Sequence, residues 1–340
     1  MIIEVVDKER IHYIDIAKGL GIFWVVLTHA SYEEWIWRYS WQFHMPFFFF
    51  LAGLVYQERY SFKEFFLRRL RSLIIPYFIF AFITFIYWLW IERPFRPGDQ
   101  SVIYELIGIF YGDYDSNRLF FNPPLWFLPC LFVTELLFWP AAHSKTKIGT
   151  WTWILSYFAI GQVLLRYHIS GFPFGIHTAL NAVLFYGIGW LSKHVIDDVG
   201  KTGYYHWVII IACTTIQLLY MNSYVSNIKH CTILYAGIAL VGITFWLLLS
   251  IIIDHQKIIE YFGRNTLVAI CLQGPIMRVL IYGLSKISHY QMEDIRQNTF
   301  LTLLVTIGTF IALIPFMELW KKCPLSRATK RIEKTIQSTN

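Results

Sequence analysis

Apolar runs of close to 20 residues recur along the whole chain, from Ile14 to Met317. An α-helix needs about 20 apolar residues to cross the hydrocarbon core of a bilayer, and it hydrogen-bonds its own backbone while doing so. Only 15% of the residues are charged, against about 25% in a typical soluble chain. The sequence therefore predicts an all-α integral membrane protein, with the lipid bilayer as its partner.

Runs of about 17 or more largely apolar residues predict about ten transmembrane helices. They lie near 14–31, 43–57, 73–91, 124–141, 150–166, 177–192, 205–221, 231–253, 265–283 and 298–318. The polar stretches between them are too short to fold separately. We therefore predict one transmembrane domain over 1–320, followed by a basic cytoplasmic tail over 321–340. The sequence makes no prediction of an oligomeric state.

The distribution of Lys and Arg indicates which side of the membrane the termini occupy. An even number of crossings places both termini on one side, and most of the 29 Lys and Arg residues then fall in segments on that side. Short cytoplasmic loops carry an excess of these residues, so both termini are predicted to be cytoplasmic. The scatter over many loops also argues against a nucleic-acid partner, despite a net charge of +7.

The first predicted helix contains Lys18 and His29. Ionisable groups at membrane depth are costly, so each is a functional hypothesis. The two share one helix face, about 16 Å apart along the axis, and would line one channel at two depths. The alternative is that Lys18 snorkels to the interface and His29 merely ends the helix. His44 opens the next helix, and the short hairpin brings it near His29, as a general base and its partner require.

Two further sets of charges stand out. Arg68 and Arg71 lie one helical turn apart in a basic inner segment, predicted as a loop over 58–72, and such a pair suits phosphate. The alternative is a plain positive-inside anchor. Glu135 and Arg278 lie inside predicted helices and form either a structural pair or a functional site. No histidine or cysteine spacing indicates a metal site, so we predict no bound metal.

Five stretches resemble, in the same order, the motifs of membrane-bound acyltransferase family 3. Lys18 and His29 match a basic residue followed, after ten others, by a histidine. The other matches are 44–53 with the second helix, 68–77 with an Arg-x-x-Arg element before Pro-Tyr, 125–128 with a Trp-Phe motif, and 262–267 with the start of the late helices. The residues at 45–47, Met-Pro-Phe, and at 264–267, Arg-Asn-Thr-Leu, resemble those of the fucose 4-O-acetylase-like branch. Many relatives then place a histidine in the following helix, where this chain has 271–274, Cys-Leu-Gln-Gly.

The resemblance implies an O-acyltransferase, with acetyl the expected group, in the bacterial cytoplasmic membrane. Acetyl-CoA would be the donor substrate, with no permanently bound cofactor. The acceptor would be a hydroxyl of an envelope or extracellular polysaccharide sugar, or of a lipid-linked glycan. His29 would be the general base, with Lys18 and His44 in the catalytic group, and Arg68 and Arg71 would bind the phosphates of the donor.

Glu33 and Glu34 are predicted to support His29 or to bind the acceptor, and Asp113 and Trp126 are predicted to bind the acceptor on the outer side. For Trp126 the alternative is a place in the aromatic belt of the membrane interface. For the whole chain the alternative is a transporter or flippase of a lipid-linked sugar, since many helices with buried charges suit alternating access. Such a transporter would not consume acyl-CoA. A non-catalytic scaffold would need none of the ordered motifs.

Overall fold

The computed structural model describes residues 12–95, 100–114, 118–193, 203–221, 227–253 and 255–324. Within these ranges the secondary structure is entirely helical. The α-helices are α1 (His12–Ala30), α2 (Glu34–Ser40), α3 (His44–Leu54), α4 (Phe62–Arg69), α5 (Ile75–Tyr87), α6 (Val102–Tyr111), α7 (Phe127–Ala142), α8 (Lys147–Arg166), α9 (Ile176–Leu191), α10 (Tyr204–Met221), α11 (Ile233–Ile253), α12 (Lys257–Arg264), α13 (Thr266–Ser288), α14 (Met292–Arg296) and α15 (Thr299–Lys322). Most of the predicted tail over 321–340 lies outside the described residues.

Nine helical segments in the described ranges are long and apolar enough to cross a membrane. They are His12–Ala30, Phe62–Phe95, Pro123–Ala142, Lys147–Arg166, Pro173–Leu191, Tyr204–Met221, Ile233–Ile253, Thr266–Ser288 and Thr299–Lys322. Each coincides with one of the predicted helices. The prediction of an all-α integral membrane protein is therefore confirmed.

The remaining predicted helix, 43–57, is the short helix α3, which has 11 residues. At 1.5 Å per residue it spans about 16 Å, roughly half of a bilayer core. It packs backbone to backbone against α9, because glycines face the partner helix from both sides. A Cβ on Gly53 would lie 1.9 Å from the Tyr186 carbonyl oxygen, and one on Gly189 would lie 2.1 Å from that of Phe50. Such small-residue contacts are typical of membrane helix pairs.

Contacts between helix ends show which ends share a side of the membrane. Asp15, near the start of α1, pairs with Arg264 at the end of α12, at 3.0 Å. Glu318, near the end of α15, accepts a hydrogen bond of 2.6 Å from Tyr261, which also lies in α12. The first and last described helices therefore have their terminal ends on one side, here called the inner side. That this side is cytoplasmic remains the prediction of the positive-inside rule.

The basic inner segment 58–72 is helical over most of its length, so its prediction as a loop is wrong. Ser61 and Glu64 form a capping box, in which each side chain accepts a hydrogen bond from the other residue's backbone N–H. A π-helical turn, Leu70–Ile74, then joins α4 directly to α5. Such turns inside longer helices are frequent at functional sites.

Helix α6 packs against the side of α5. Tyr77 donates a hydrogen bond of 2.7 Å to the Ile109 carbonyl oxygen, and the Phe110 ring contacts that of Phe78, 5.7 Å between centroids. Both partners lie in the inner half of the Phe62–Phe95 span. Ile109 is therefore buried, whereas Ile103, Ile107 and Phe110 of the same helix remain exposed.

Of the two alternatives for Glu135 and Arg278, the structure does not support the one in which they pair with each other. The buried Glu135 carboxylate binds Arg69, at 2.8 Å, near the inner side. Arg278 binds Glu92 through two contacts, of 2.5 Å and 3.0 Å. The two charges lie at different depths, and each takes a partner at its own level because an unpaired charge in this environment costs at least a few kcal/mol.

Candidate active site

His29 lies in the last turn of α1, and this turn is held by Arg296 from α14. The Arg296 guanidinium donates to the His29 carbonyl oxygen at 2.8 Å and to that of Ala30 at 3.3 Å. Its third nitrogen contacts the Tyr32 hydroxyl. The last carbonyls of a helix have no partner within the helix, and a cation at that end is favourable. Arg296 therefore fixes the end of α1 that carries His29.

His44 is buried at the start of α3, and its orientation is defined by one hydrogen bond. Its Nδ1 lies 2.6 Å from the Ser40 carbonyl oxygen. A carbonyl oxygen can only accept, so Nδ1 carries a proton, and Nε2 is the acceptor of the neutral ring. The Ser40 hydroxyl in turn bonds the hydroxyl of Thr28, at 2.5 Å, immediately before His29. This connection fixes the first turn of α3 to the last turn of α1.

Three ionisable side chains, two of them arginines, interact electrostatically with the His29 imidazole. His44, Arg278 and Arg296 all lie within range of direct electrostatic interaction with it. The structure thus brings His29 and His44 together, as predicted, and adds two arginines from α13 and α14. Burial lowers the pKa of Arg296, the Tyr32 hydroxyl opposes this, and the nearby charge of Arg278 adds to the lowering.

Arg278 is held in place by three oxygens from two other parts of the chain. Besides the two contacts to Glu92, its Nη2 donates to the Phe121 carbonyl oxygen at 2.6 Å. The Nη1 nitrogen makes no hydrogen bond within the described residues. It passes over Gly274, where a Cβ would lie 3.2 Å from it. The N–H groups of Nη1 therefore remain able to donate, while the rest of the guanidinium is held rigidly.

A cavity of about 470 Å³ opens beside these two arginines on the outer side. Arg278 and Arg296 form part of its wall, together with Glu92 and the rings of Tyr32, Tyr87 and Tyr282. This volume falls within the range of small-molecule sites, about 300–1,000 Å³. Both arginines also interact electrostatically with His29, but neither His29 nor His44 is among the residues that line the cavity.

Lys18, Arg68 and Arg71 lie towards the inner side. Helix α1 is regular from His12 to Ala30, so Lys18 shares a face with His29 at the predicted spacing of about 16 Å. The Arg68 guanidinium lies over the Tyr60 ring, 4.1 Å from its centroid, and Arg71 is exposed within the π-helical turn. Arg59 also contacts the same ring, at 5.1 Å. These side chains form a basic, partly exposed surface.

The predicted acceptor residues are not gathered at the histidine pair. Glu34 is exposed and pairs with Arg38 at 2.6 Å, and Glu33 accepts a hydrogen bond from Thr299 at 3.3 Å. Within the described residues, neither carboxylate hydrogen-bonds to His29 or His44. Both lie on the outer side, near the same end of α1.

Trp126 and Asp113 belong to a second region of the outer half. The Lys229 ammonium lies 5.2 Å from the Trp126 ring centroid and 5.0 Å from that of Tyr114. Asp113, the neighbour of Tyr114, is fully buried. In the part of the chain that the structure describes, no hydrogen bond or ion pair joins this group to the histidine pair.

Glu92 and Arg296 are site residues that the sequence reasoning missed. Each lies next to the outer end of a predicted helix, where a charged residue is ordinary. For Glu92 the sequence does carry a signal. Arg278 needs an acidic partner, and Glu92 lies at the outer end of another predicted helix. Arg296 gives no such signal, because its partners are backbone carbonyls.

The fold and the site define a membrane-embedded protein with a histidine pair between a basic inner surface and an outer cavity. The family model described as an acyltransferase domain, that of acyltransferase family 3, matches residues 11–317. The chain therefore belongs to this family, as its motifs predicted, and is a multi-pass membrane acyltransferase. Neither the curated proteins nor the solved structures include a significant match.

Proposed function

We propose that this acyltransferase transfers an acetyl group from acetyl-CoA to a sugar hydroxyl, with His29 as the general base. The observation that carries the proposal is that His29 interacts electrostatically with His44, Arg278 and Arg296, and that the two arginines line the outer cavity. A base, its supporting histidine and fixed cations are the groups that acyl transfer to an alcohol requires.

In the proposed reaction, the His29 imidazole takes the proton of the acceptor hydroxyl as its oxygen attacks the thioester carbonyl carbon. The carbonyl oxygen becomes an oxyanion, and an Nη1 N–H group of Arg278 donates a hydrogen bond to it. Collapse of this intermediate breaks the carbon–sulfur bond. The coenzyme A thiolate leaves, and the imidazolium returns the proton to it. Arg296 acts indirectly, by holding the end of α1.

The proposed donor path runs from the inner basic surface to His29. Arg68 and Arg71 would bind the donor phosphates, because guanidinium groups form charge-assisted, bidentate hydrogen bonds with them. Lys18 lies on the same face of α1 as His29, about 16 Å below it. An extended pantetheine arm would pass Lys18 and present the thioester at His29.

The proposed acceptor site is the outer cavity. Tyrosine rings offer apolar faces to the C–H groups of a sugar, and carboxylate and guanidinium groups hydrogen-bond its hydroxyls. The cavity wall supplies both, through Tyr32, Tyr87 and Tyr282 and through Glu92 and Glu293. Trp126 and Asp113 would contact a more distant part of an extended glycan. An envelope polysaccharide or a lipid-linked glycan of a bacterial cell fits such a site.

The test is transfer of radiolabelled acetyl from acetyl-CoA to extracted envelope glycans, in membranes that contain matched amounts of protein. We compare the wild type with His29→Ala and with His143→Ala, an exposed histidine at the end of α7. Label with the wild type and His143→Ala, but not with His29→Ala, supports the proposal. Equal labelling by all three proteins would eliminate His29 as the base. Glycan export that depends on the protein without any labelling would favour a transporter instead.

A further inference from the structure

Three side chains with metal-binding atoms converge at the inner end of α1. They are His12, from the start of α1, His255, from the segment between α11 and α12, and Glu260, from α12. One ligand atom from each lies within 4.8 Å of the others. His12 and Glu260 are 248 positions apart in the chain. The fold, rather than any local sequence motif, therefore assembles this group.

The distances within the group are close to those of a tetrahedral metal site. His12 Nδ1 lies 3.2 Å from Glu260 Oε2, and His255 Nδ1 lies 3.8 Å from Glu260 Oε1. With metal–ligand bonds of about 2.1 Å, the ligands of a tetrahedral site are about 3.4 Å apart. Small adjustments of exposed or half-exposed imidazoles would therefore suffice to bind an ion.

The carboxylate of the group is already oriented by its surroundings. The Glu260 side chain is only 3% exposed, and Arg264 contacts its Oε2. The same guanidinium binds Asp15 at 3.0 Å. Ligating carboxylates in metal sites are commonly fixed by such outer hydrogen bonds. The Oε1 atom, which faces His255, is on the other side of the carboxylate from this contact.

We propose that His12, His255 and Glu260 bind one Zn²⁺ ion at the inner end of α1. Two imidazole nitrogens and one carboxylate oxygen are a known donor set for zinc, with a fourth position open to water. The ion would fasten the start of α1 to α12, and α1 carries both Lys18 and His29. The proposal does not depend on the acyl donor or acceptor.

The experiment measures zinc binding to the full chain in lipid nanodiscs, after chelator treatment and purification through a tag without histidine. Equilibrium dialysis with Zn²⁺ should give one ion per wild-type chain. The variant His255→Ala should weaken binding at least 10-fold, and His12→Ala should do the same. His143→Ala is the matched control, because this histidine is also exposed near the inner side but outside the group.

Thermal unfolding provides a second readout. Zn²⁺ should raise the Tm of the wild type and of His143→Ala but leave that of His255→Ala unchanged, because a ligand stabilises only the fold that binds it. Mg²⁺, which prefers oxygen ligands, should have no effect. The proposal would be overturned if the wild type bound no stoichiometric zinc, or if His12→Ala and His255→Ala bound zinc as strongly as the wild type.

Discussion

The inner and outer ends of the molecule both concentrate arginines, but they hold them differently. At the outer end, Arg278 is fixed by Glu92 and a carbonyl oxygen, and Arg296 by two carbonyl oxygens and a hydroxyl. At the inner end, Arg71 is exposed, and Arg68 lies on the ring of Tyr60. The two outer guanidiniums are thus rigid parts of the fold, whereas those of Arg68 and Arg71 lie on its surface.

This difference corresponds to the two tasks that acyl transfer requires. Stabilising a developing charge depends on donors that are already oriented, because no energy is then spent on reorganisation during the reaction. Binding the phosphates of a donor that must arrive and leave needs accessible charge instead. The comparison therefore predicts that substitutions in the outer site affect the chemical step, while substitutions of Arg68 and Arg71 affect donor binding.

The largest expected effect is that of His29→Gln. Removal of a positioned base should lower the rate of acyl transfer about 10²–10⁴-fold, with little change in the KM for acetyl-CoA. His44→Gln should have a smaller effect, because His44 would act only through His29. The measurement is single-turnover acetyl transfer in nanodiscs. A larger loss with His44→Gln than with His29→Gln would reverse the assigned roles.

Arg278→Gln should lower kcat about 10²–10³-fold, as the loss of an oxyanion donor does in other acyl-transfer sites. The substitution also leaves Glu92 without its cation, so unfolding must be measured in parallel. The double variant Arg278→Gln with Glu92→Gln removes both charges and serves as the control. If it recovers stability but not kcat, the guanidinium acts on the chemical step. If it recovers both, Arg278 is structural only.

Arg69 differs from Arg68 and Arg71 because it pairs with a buried carboxylate near the inner side. Its partner Glu135 has a side chain only 3% exposed. Arg69→Gln should therefore destabilise the protein by about 3 kcal/mol, the lower end of the cost of breaking a buried ion pair. Arg71→Gln is the matched control and should leave the midpoint of thermal unfolding unchanged. Equal destabilisation by both variants would show that burial does not separate these two arginines.

The spans were predictable from the sequence because a bilayer imposes one length on every crossing. The exceptions have physical causes. Helix α3 is shorter than a bilayer core, and its close glycine contacts with α9 help to bury it. The helix over Phe62–Arg69 was missed because its polar residues indicated a loop, although Ser61 and Glu64 carried the signature of a helix start.

The site was predictable only where its residues belong to local motifs. His29 and His44 are separated by one short hairpin, so chain connectivity alone brings them near each other. Arg296 and Glu92 enter the site through tertiary contacts with a backbone carbonyl and with Arg278. His12, His255 and Glu260 converge in the same way. The spacing of residues along a sequence does not show such contacts. For this reason the spacing of the histidines and cysteines predicted no metal ligands.

The smallest expected effect is that of the inner surface arginines. Arg71→Gln should raise the KM for acetyl-CoA about 10-fold and leave kcat within about 2-fold, because a phosphate contact stabilises the ground state and the transition state equally. Arg68→Gln should behave in the same way.

Acetyl transfer from a shortened donor is a second test of the role of Arg71. Acetyl-pantetheine has the thioester but lacks the nucleotide phosphates, so the wild type should use it with a higher KM than acetyl-CoA. Arg71→Gln should then lose most of its preference between the two donors, since the contact that distinguishes them is gone. A variant with a raised KM for both donors would instead indicate that Arg71 shapes the inner end of the fold. In that case Arg71 would be a structural part of the fold, as Arg278 and Arg296 are at the outer end.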